Sequence, residues 1–172
     1  DQHEQAIGIV LSVTGSDGTL GVRAIKMEGG LVLAQTPGSC EFDGMPNSAL
    51  ATRLVDFELP PAEMAAQLMT YVARTVGRKL VANNVAPAFG ENTLKKIFVL
   101  LRAQTGHDFS QYKPSTINRR IERRMAVHQI DAIDSYVKYL QQTPVEVQAL
   151  FNDLLIGVTN FFRDPEAFEV LE

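Results

Sequence analysis

Four guanidinium side chains fall within six positions of one another, at Arg119, Arg120, Arg123 and Arg124. They lie in the segment Tyr112 to Met125, where Ile117, Ile121 and Met125 recur every four residues. On a helix, residues four apart share a face, so Arg119 stacks with Arg123 and Arg120 with Arg124 while the apolar residues point to a core. A guanidinium offers a planar fork of donors matched to carboxylates and phosphates. The expectation is an exposed basic ridge that docks an acidic surface, against the plainer reading of a solvated face partly neutralised by Glu122.

A second chemical feature is Asp17, in the glycine-rich stretch Thr14-Gly15-Ser16-Asp17-Gly18 directly after the apolar run Ile7 to Leu11. A carboxylate on a turn beyond a buried strand can orient a histidine that activates a serine nucleophile, and such a triad needs all three members. His3 sits in the terminal stretch and is not assigned that role; Ser12 and Ser16 read as turn residues that bond local backbone. A third feature is Thr159 to Arg163, where Arg163 supplies another fork for a carboxylate. Phe161 and Phe162 read as packing residues.

The elements that must position these groups divide the chain in two. Ile7 to Leu11 is a short apolar run suited to a strand covered on both faces. A helix is expected over Gly21 to Glu28, stopped by Gly29-Gly30. Further strands are expected at Leu31 to Ala34 and Val55 to Leu59, with a short helix over Asn47 to Thr52 between them. Pro60-Pro61 opens another helix, with Met64, Leu68, Val72 and Val76 on one stripe. Residues 77–91, with Gly77, Asn83-Asn84, Pro87 and Gly90, read as a linker.

From Asn92 onward the pattern is helical. Ile97, Leu100 and Leu101 face inward and Gly106 ends the first helix; Pro114 opens the arginine helix; Ile133, Val137 and Leu140 mark a third, ending before Pro144. Leu150, Phe151, Leu154, Leu155 and Val158 mark a fourth, and Asp164-Pro165 opens a last one. The fold class is α+β: a three-stranded parallel α/β half followed by an all-α bundle. So few strands leave apolar faces and edges open, which implies self-association, strand exchange or packing against the second half.

Composition narrows the function classes. The chain has 172 residues, 45% of them hydrophobic, and a net charge of −4. Residues 1–89 carry 9 acidic and 6 basic side chains and residues 90–172 carry 11 and 10, five of the latter between Lys113 and Arg124. That balance argues against wholesale nucleic-acid binding while leaving one basic face able to steer an acidic partner. No run suits a membrane span, so a cytoplasmic protein is expected. Cys40 is the single cysteine, which excludes an internal disulfide and a cysteine metal cluster, and it is expected to be packed.

Together these residues resemble two families in succession. The glycine-rich turn at Asp17, the Gly44-Met45-Pro46 turn and the helix beyond resemble the carboxyl-terminal part of CheB-type chemoreceptor methylesterases. The Tyr112 to Met125 segment and Leu154-Leu155-Ile156-Gly157-Val158-Thr159-Asn160-Phe161-Phe162-Arg163-Asp164-Pro165 resemble the amino-terminal part of CheR-type glutamate methyltransferases. The resemblance implies domains over 1–76 and 92–157, a linker at 77–91, and the start of an S-adenosylmethionine-binding domain over 158–172. It makes Asp17 the triad acid, its serine and histidine partners lying upstream in that family. It makes Thr159 and Arg163 contacts of S-adenosylmethionine, and Arg119, Arg120, Arg123 and Arg124 the docking face for a chemoreceptor methylation-region helical bundle. The chain is then expected to be a junction fragment that binds or regulates without turnover. A non-enzymatic signalling adaptor is the rival reading, and a helical nucleic-acid binder a more distant one.

Overall fold

The computed structural model of the chain describes residues 5–81 and 89–156. Three parallel strands, β1 (Ile7–Val10), β2 (Leu31–Gln35) and β3 (Phe57–Leu59), lie side by side in chain order. Ile7 pairs with Leu31, and Leu33 with Phe57. Helix α1 (Gly18–Met27) links β1 to β2, α2 (Gly44–Ala51) links β2 to β3, and α3 (Pro61–Val81) follows the sheet. The second half comprises α4 (Glu91–Thr105), α5 (Pro114–Val127), α6 (Ile133–Gln142) and α7 (Pro144–Leu155). This is the expected α+β arrangement of a short parallel sheet followed by a helical bundle.

All five residues of the central strand β2 are buried, which is why it reads as a continuous apolar run and not as an alternation. The period of two sends its residues to opposite faces. Val32 and Ala34 meet Val10, Val22 of α1 and Ala49 of α2. Leu31 and Leu33 meet Met64 and Tyr71 of α3 together with Ala126 and Val127 of α5. The second face of the sheet is therefore closed partly by a helix of the other half. Fully burying a leucine is favourable by ~1.5–3 kcal/mol, so β2 alone gives the halves reason to associate. Of the outcomes expected for so short a sheet, packing against the second half is seen within the chain. The outer strand β1 still exposes Ile7 and Ile9.

The helical half has its own core, in which Ile97 and Leu101 of α4, Ile117, Ile121 and Met125 of α5, Tyr136 and Leu140 of α6, and Leu150 and Leu154 of α7 are buried. Gly106 ends α4 in the left-handed conformation at φ 76°, as its position in the sequence implied. Pro144 occupies the first turn of α7, where its missing amide costs nothing.

Some boundaries differ from the sequence reading. Helix α1 starts at Gly18, three residues earlier than expected, and α2 begins at Gly44, so Gly44-Met45-Pro46 is its first turn. Helix α3 continues to Val81, past the start of the expected linker at Gly77, because one glycine costs a helix only ~1 kcal/mol. Ser12 does not bond its own turn; its hydroxyl accepts the amides of Glu41 and Phe42 at 3.1 and 3.0 Å. Cys40 is half-buried, with its Sγ 3.5 Å from the Thr36 carbonyl oxygen.

Candidate functional site

The site begins at the end of α1. Glu28 caps the helix, Gly29 follows at φ 87°, and the Gly30 and Gly29 amides donate back to the Ile25 and Lys26 carbonyls at 2.8 and 3.0 Å. This is a Schellman ending, which needs a residue tolerant of positive φ. Gly30 is required for a second reason: a Cβ there would sit 2.4 Å from the Ala6 carbonyl oxygen. The tight reversal leaves the carbonyls of Lys26, Met27, Gly29 and Gly30 pointing at α5.

Those carbonyls are taken by two of the arginines. Arg120 donates through Nη1 to Lys26 O at 3.2 Å and through Nη2 to Met27 O at 2.9 Å. Arg123 donates through Nε to Gly29 O at 2.9 Å and through Nη2 to Gly30 O at 2.7 Å. The carboxyl end of a helix carries roughly half a negative charge, so cations there gain from the macrodipole as well as from hydrogen bonds.

Around these contacts lies a buried ion network. Asp56, whose side chain is wholly buried just before β3, receives Lys26 at 2.9 Å and Arg124 at 3.2 Å, and it also pairs with Arg123. Its Oδ2 accepts the Val32 amide at 2.9 Å. Asp153 of α7 pairs with Lys26 at 2.8 Å and with Arg123. Glu146 of α7 receives both Arg124 Nε, at 2.8 Å, and Arg124 Nη2, and it accepts the Tyr136 hydroxyl at 2.8 Å. His128 Nε2 faces Glu146 Oε2 and lies 3.0 Å from Arg124 Nη2. One nitrogen cannot donate and accept at once, so the Nε2–H tautomer pairs with Glu146 and the arginine contact is a simple approach.

The charges nearly balance. Lys26, Arg120, Arg123 and Arg124 face Asp56, Asp153 and Glu146, leaving one surplus positive charge beside the end of α1. Burial pushes the Asp56 carboxyl up, but Arg123 and Lys26 outweigh it and hold it below the usual carboxylate range. Asp153 and Glu146 are also lowered, burial again being overcome, by Arg123 and Lys26 at Asp153 and by His128 and Arg124 at Glu146. Burial pushes the Lys26 ammonium down; Asp56 and Asp153 counter only part of that, because Arg123 adds to it. Removing Asp56, Asp153 or Glu146 leaves a desolvated cation short of its partner.

The expected exposed ridge is therefore corrected. Arg120, Arg123 and Arg124 are 4%, 8% and 5% exposed, and of the four arginines only Arg119 faces solvent. Helix α5 buries two faces: Ile117, Ile121 and Met125 enter the helical core, while the arginine side, with Ala126 and Val127, lies against the α/β half. Asp17 stands elsewhere, exposed at the opposite end of α1, on the order of 15 Å along the helix from the network, and its side chain makes no capping bond. Thr159 and Arg163 lie outside the described residues. Among the described residues there is no cluster able to hold a metal ion, and no helix is long and apolar enough to cross a membrane.

Sequence reasoning missed Lys26, Asp56, Glu146 and Asp153. A signal existed for three of them. Glu146 and Asp153 share the inward stripe of α7 with Leu150, at positions i, i+4 and i+7, and Lys26 follows Val22 by four on the buried stripe of α1. Charged residues on an apolar stripe announce buried partners. Asp56, in a loop, had no comparable pattern.

Beside the network, a groove of about 300 Å³ runs between Arg23 and Met27 of α1, Arg53, and Leu155 and Ile156 at the end of α7. Arg53 closes the turn after α2 in the left-handed conformation at φ 57°.

Comparison with known proteins matches the chain in two separate segments. Residues 1–68 match the CheB methylesterase family model, and residues 92–155 match that of the all-alpha domain of CheR methyltransferase. An uncharacterized 104.1 kDa protein in the hypE 3' region of Rhodobacter capsulatus is 36% identical over 97% of this chain and 20% of its own length. A protein-glutamate methylesterase/protein-glutamine glutaminase from Anaeromyxobacter dehalogenans is 41% identical over 40% of the chain and 20% of its own length. A Rhizobium meliloti methylesterase/glutaminase of the group 3 operon is 43% identical over 41% of the chain and likewise 20% of its own length. The chain thus spans about a fifth of the length of these curated relatives.

Proposed function

We propose that this chain, which joins a CheB-type methylesterase segment to a CheR-type all-α domain, is the junction of a bifunctional chemotaxis enzyme that removes and adds methyl esters on chemoreceptor glutamates. The observation that carries the reading is the succession of the two family matches along one continuous chain. It is supported by the Rhodobacter capsulatus relative, whose similarity runs across both segments. The buried network also supports it, because it fits the two segments to one another at atomic contact and does not leave them as beads on a string.

In this reading Asp17 is the acid of a serine–histidine–aspartate triad that hydrolyses the glutamyl methyl ester. A triad aspartate holds the histidine in its productive tautomer and stabilises the imidazolium that forms. Exposure of Asp17 at the start of α1 leaves it open to such a partner. S-adenosylmethionine supplies the methyl group of the opposite reaction; its proposed contacts, Thr159 and Arg163, lie outside the described residues. The helical half is the receptor-docking module, its acidic partner being the methylation-region helical bundle. By itself the chain binds and does not turn over. Self-association through the open β1 edge is part of the same proposal, and mass in solution measures it.

The test is the parent protein assayed for both reactions. Asp17→Asn should lower methyl-ester hydrolysis by roughly 10⁴-fold, the effect of an amide at a triad aspartate, and leave methyl transfer to receptor glutamates unchanged. Undiminished hydrolysis overturns the assignment of Asp17. Absence of both reactions in the unmodified parent turns the reading toward a signalling adaptor.

A further inference from the structure

The arginine side of α5 is basic and receives carboxylates, yet it is covered. Its cover is the α/β half: the carbonyls ending α1, the Asp56 carboxylate, and Leu31 and Leu33 packed on Ala126 and Val127. We propose that this cover is an intramolecular stand-in for the acidic helical partner, so that the partner gains Arg120, Arg123 and Arg124 only when the two halves part. The inference rests on the receptor-docking reading and adds a gate to it.

Two features of the interface suit a gate better than a permanent core. First, each half keeps charge partners of its own when the pairs that cross the interface, Lys26–Asp153, Arg123–Asp56 and Arg124–Asp56, are broken. Lys26 and Asp56, 2.9 Å apart, both belong to the α/β half and leave together as a neutral pair. Asp153 and Glu146 belong to α7 and stay with Arg123 and Arg124. Parting strands no lone charge on the α/β side and leaves the helical side with three arginines against two carboxylates, to which exposed Arg119 adds a fourth cation. Second, the apolar contacts divide in the same way. Ala126 and Val127 belong to the core shared with the sheet, whereas Ile117, Ile121 and Met125 belong to the separate core of the helical bundle. The bundle keeps its own packing whether the cover is on or off. What covers the face also resembles what should replace it: a carboxylate and a row of helix-end carbonyls stand where an acidic helix would bring its glutamates.

The gate predicts competition, which the whole chain tests directly. A soluble chemoreceptor methylation-region bundle is titrated against the chain and against the double variant Ala126→Gln, Val127→Gln, which places polar side chains in the shared core and none in the bundle core. The variant should bind roughly tenfold more tightly, within the usual range of coupling between linked equilibria. Saturating bundle should also speed hydrogen exchange in β2 and in the last turn of α1 of the unmodified chain, a readout that stands even when the variant does not fold. Equal affinities with unchanged exchange overturn the gate while leaving docking intact on some other face. No binding by either protein, with exchange showing the variant open, overturns the docking reading itself and the gate with it.

Discussion

Asp56→Ala removes the acceptor of three buried cations and one amide: Lys26, Arg123, Arg124 and the Val32 N–H all point at its carboxylate. Deleting one partner of a buried charge pair costs ~3–5 kcal/mol, because the other charge remains desolvated. A buried amide left without an acceptor adds about 1–3 kcal/mol, so the total is roughly 4–8 kcal/mol before the network relaxes. Against a native stability of about 5–15 kcal/mol, that is a large share of what keeps the chain folded. Asp56→Asn keeps an oxygen for Val32 and for one guanidinium but loses the charge, so its cost should fall between wild type and alanine. The assay is urea unfolding at pH 7 followed by far-UV circular dichroism, with hydrogen exchange reporting α1 and α5 separately. Glu91→Ala serves as control, since the Glu91–Lys95 pair is exposed and 3.8 Å apart, and its midpoint should stay with wild type. If Asp56→Ala costs less than ~1 kcal/mol, the network does not hold the halves together and the energetic argument is wrong.

The same network makes stability depend on acid. Asp56, Asp153 and Glu146 are held below the ordinary carboxylate range of ~4, so the unfolded chain takes up protons first as pH falls. Their contribution is full above about pH 5 and is lost progressively below about pH 4, and urea midpoints from pH 7 to pH 2.5 should show wild type losing stability more steeply than Asp56→Asn. A flat profile down to pH 3 contradicts it. Arg120→Ala uncaps the end of α1 and should cost about 1–3 kcal/mol, with faster exchange in its last turn, because the Met27 carbonyl loses its donor. Arg119→Ala, one residue away but facing solvent, should leave the unfolding midpoint unchanged, and a loss there equal to that of Arg120→Ala refutes the buried-face assignment.

Much of the architecture is local and was legible in the residues. Gly29 and Gly106 stop helices because they supply positive φ, Pro114 and Pro144 open them, and Ile117, Ile121 and Met125 mark the stripe that enters the bundle core. The Ile7 to Leu11 run announced a strand covered on both faces, but β1 lies at the sheet edge and exposes Ile7 and Ile9; the strand so covered is β2, because it is the central one, and the short sheet announced a surface in need of cover. The charged residues on the inward stripes of α1 and α7 were an available signal of buried pairing that went unread.

What supplies the cover, and which way the arginines face, was settled by the tertiary fold. Four arginines on one helix read as a solvent ridge because guanidinium is seldom buried without partners. The partners of Arg123 are Asp153, 30 residues away, and Asp56 and the carbonyls of Gly29 and Gly30, between 67 and 94 residues away along the chain, and no short window on the sequence joins them. Helical periodicity says which residues share a face. It does not say whether the opposite face meets water or a second protein surface, because that depends on desolvation compensated by charges brought in from another part of the chain. The sequence by itself determined that α5 has an apolar face and a basic one; the packing of the α/β half onto α5 decided that both are interior.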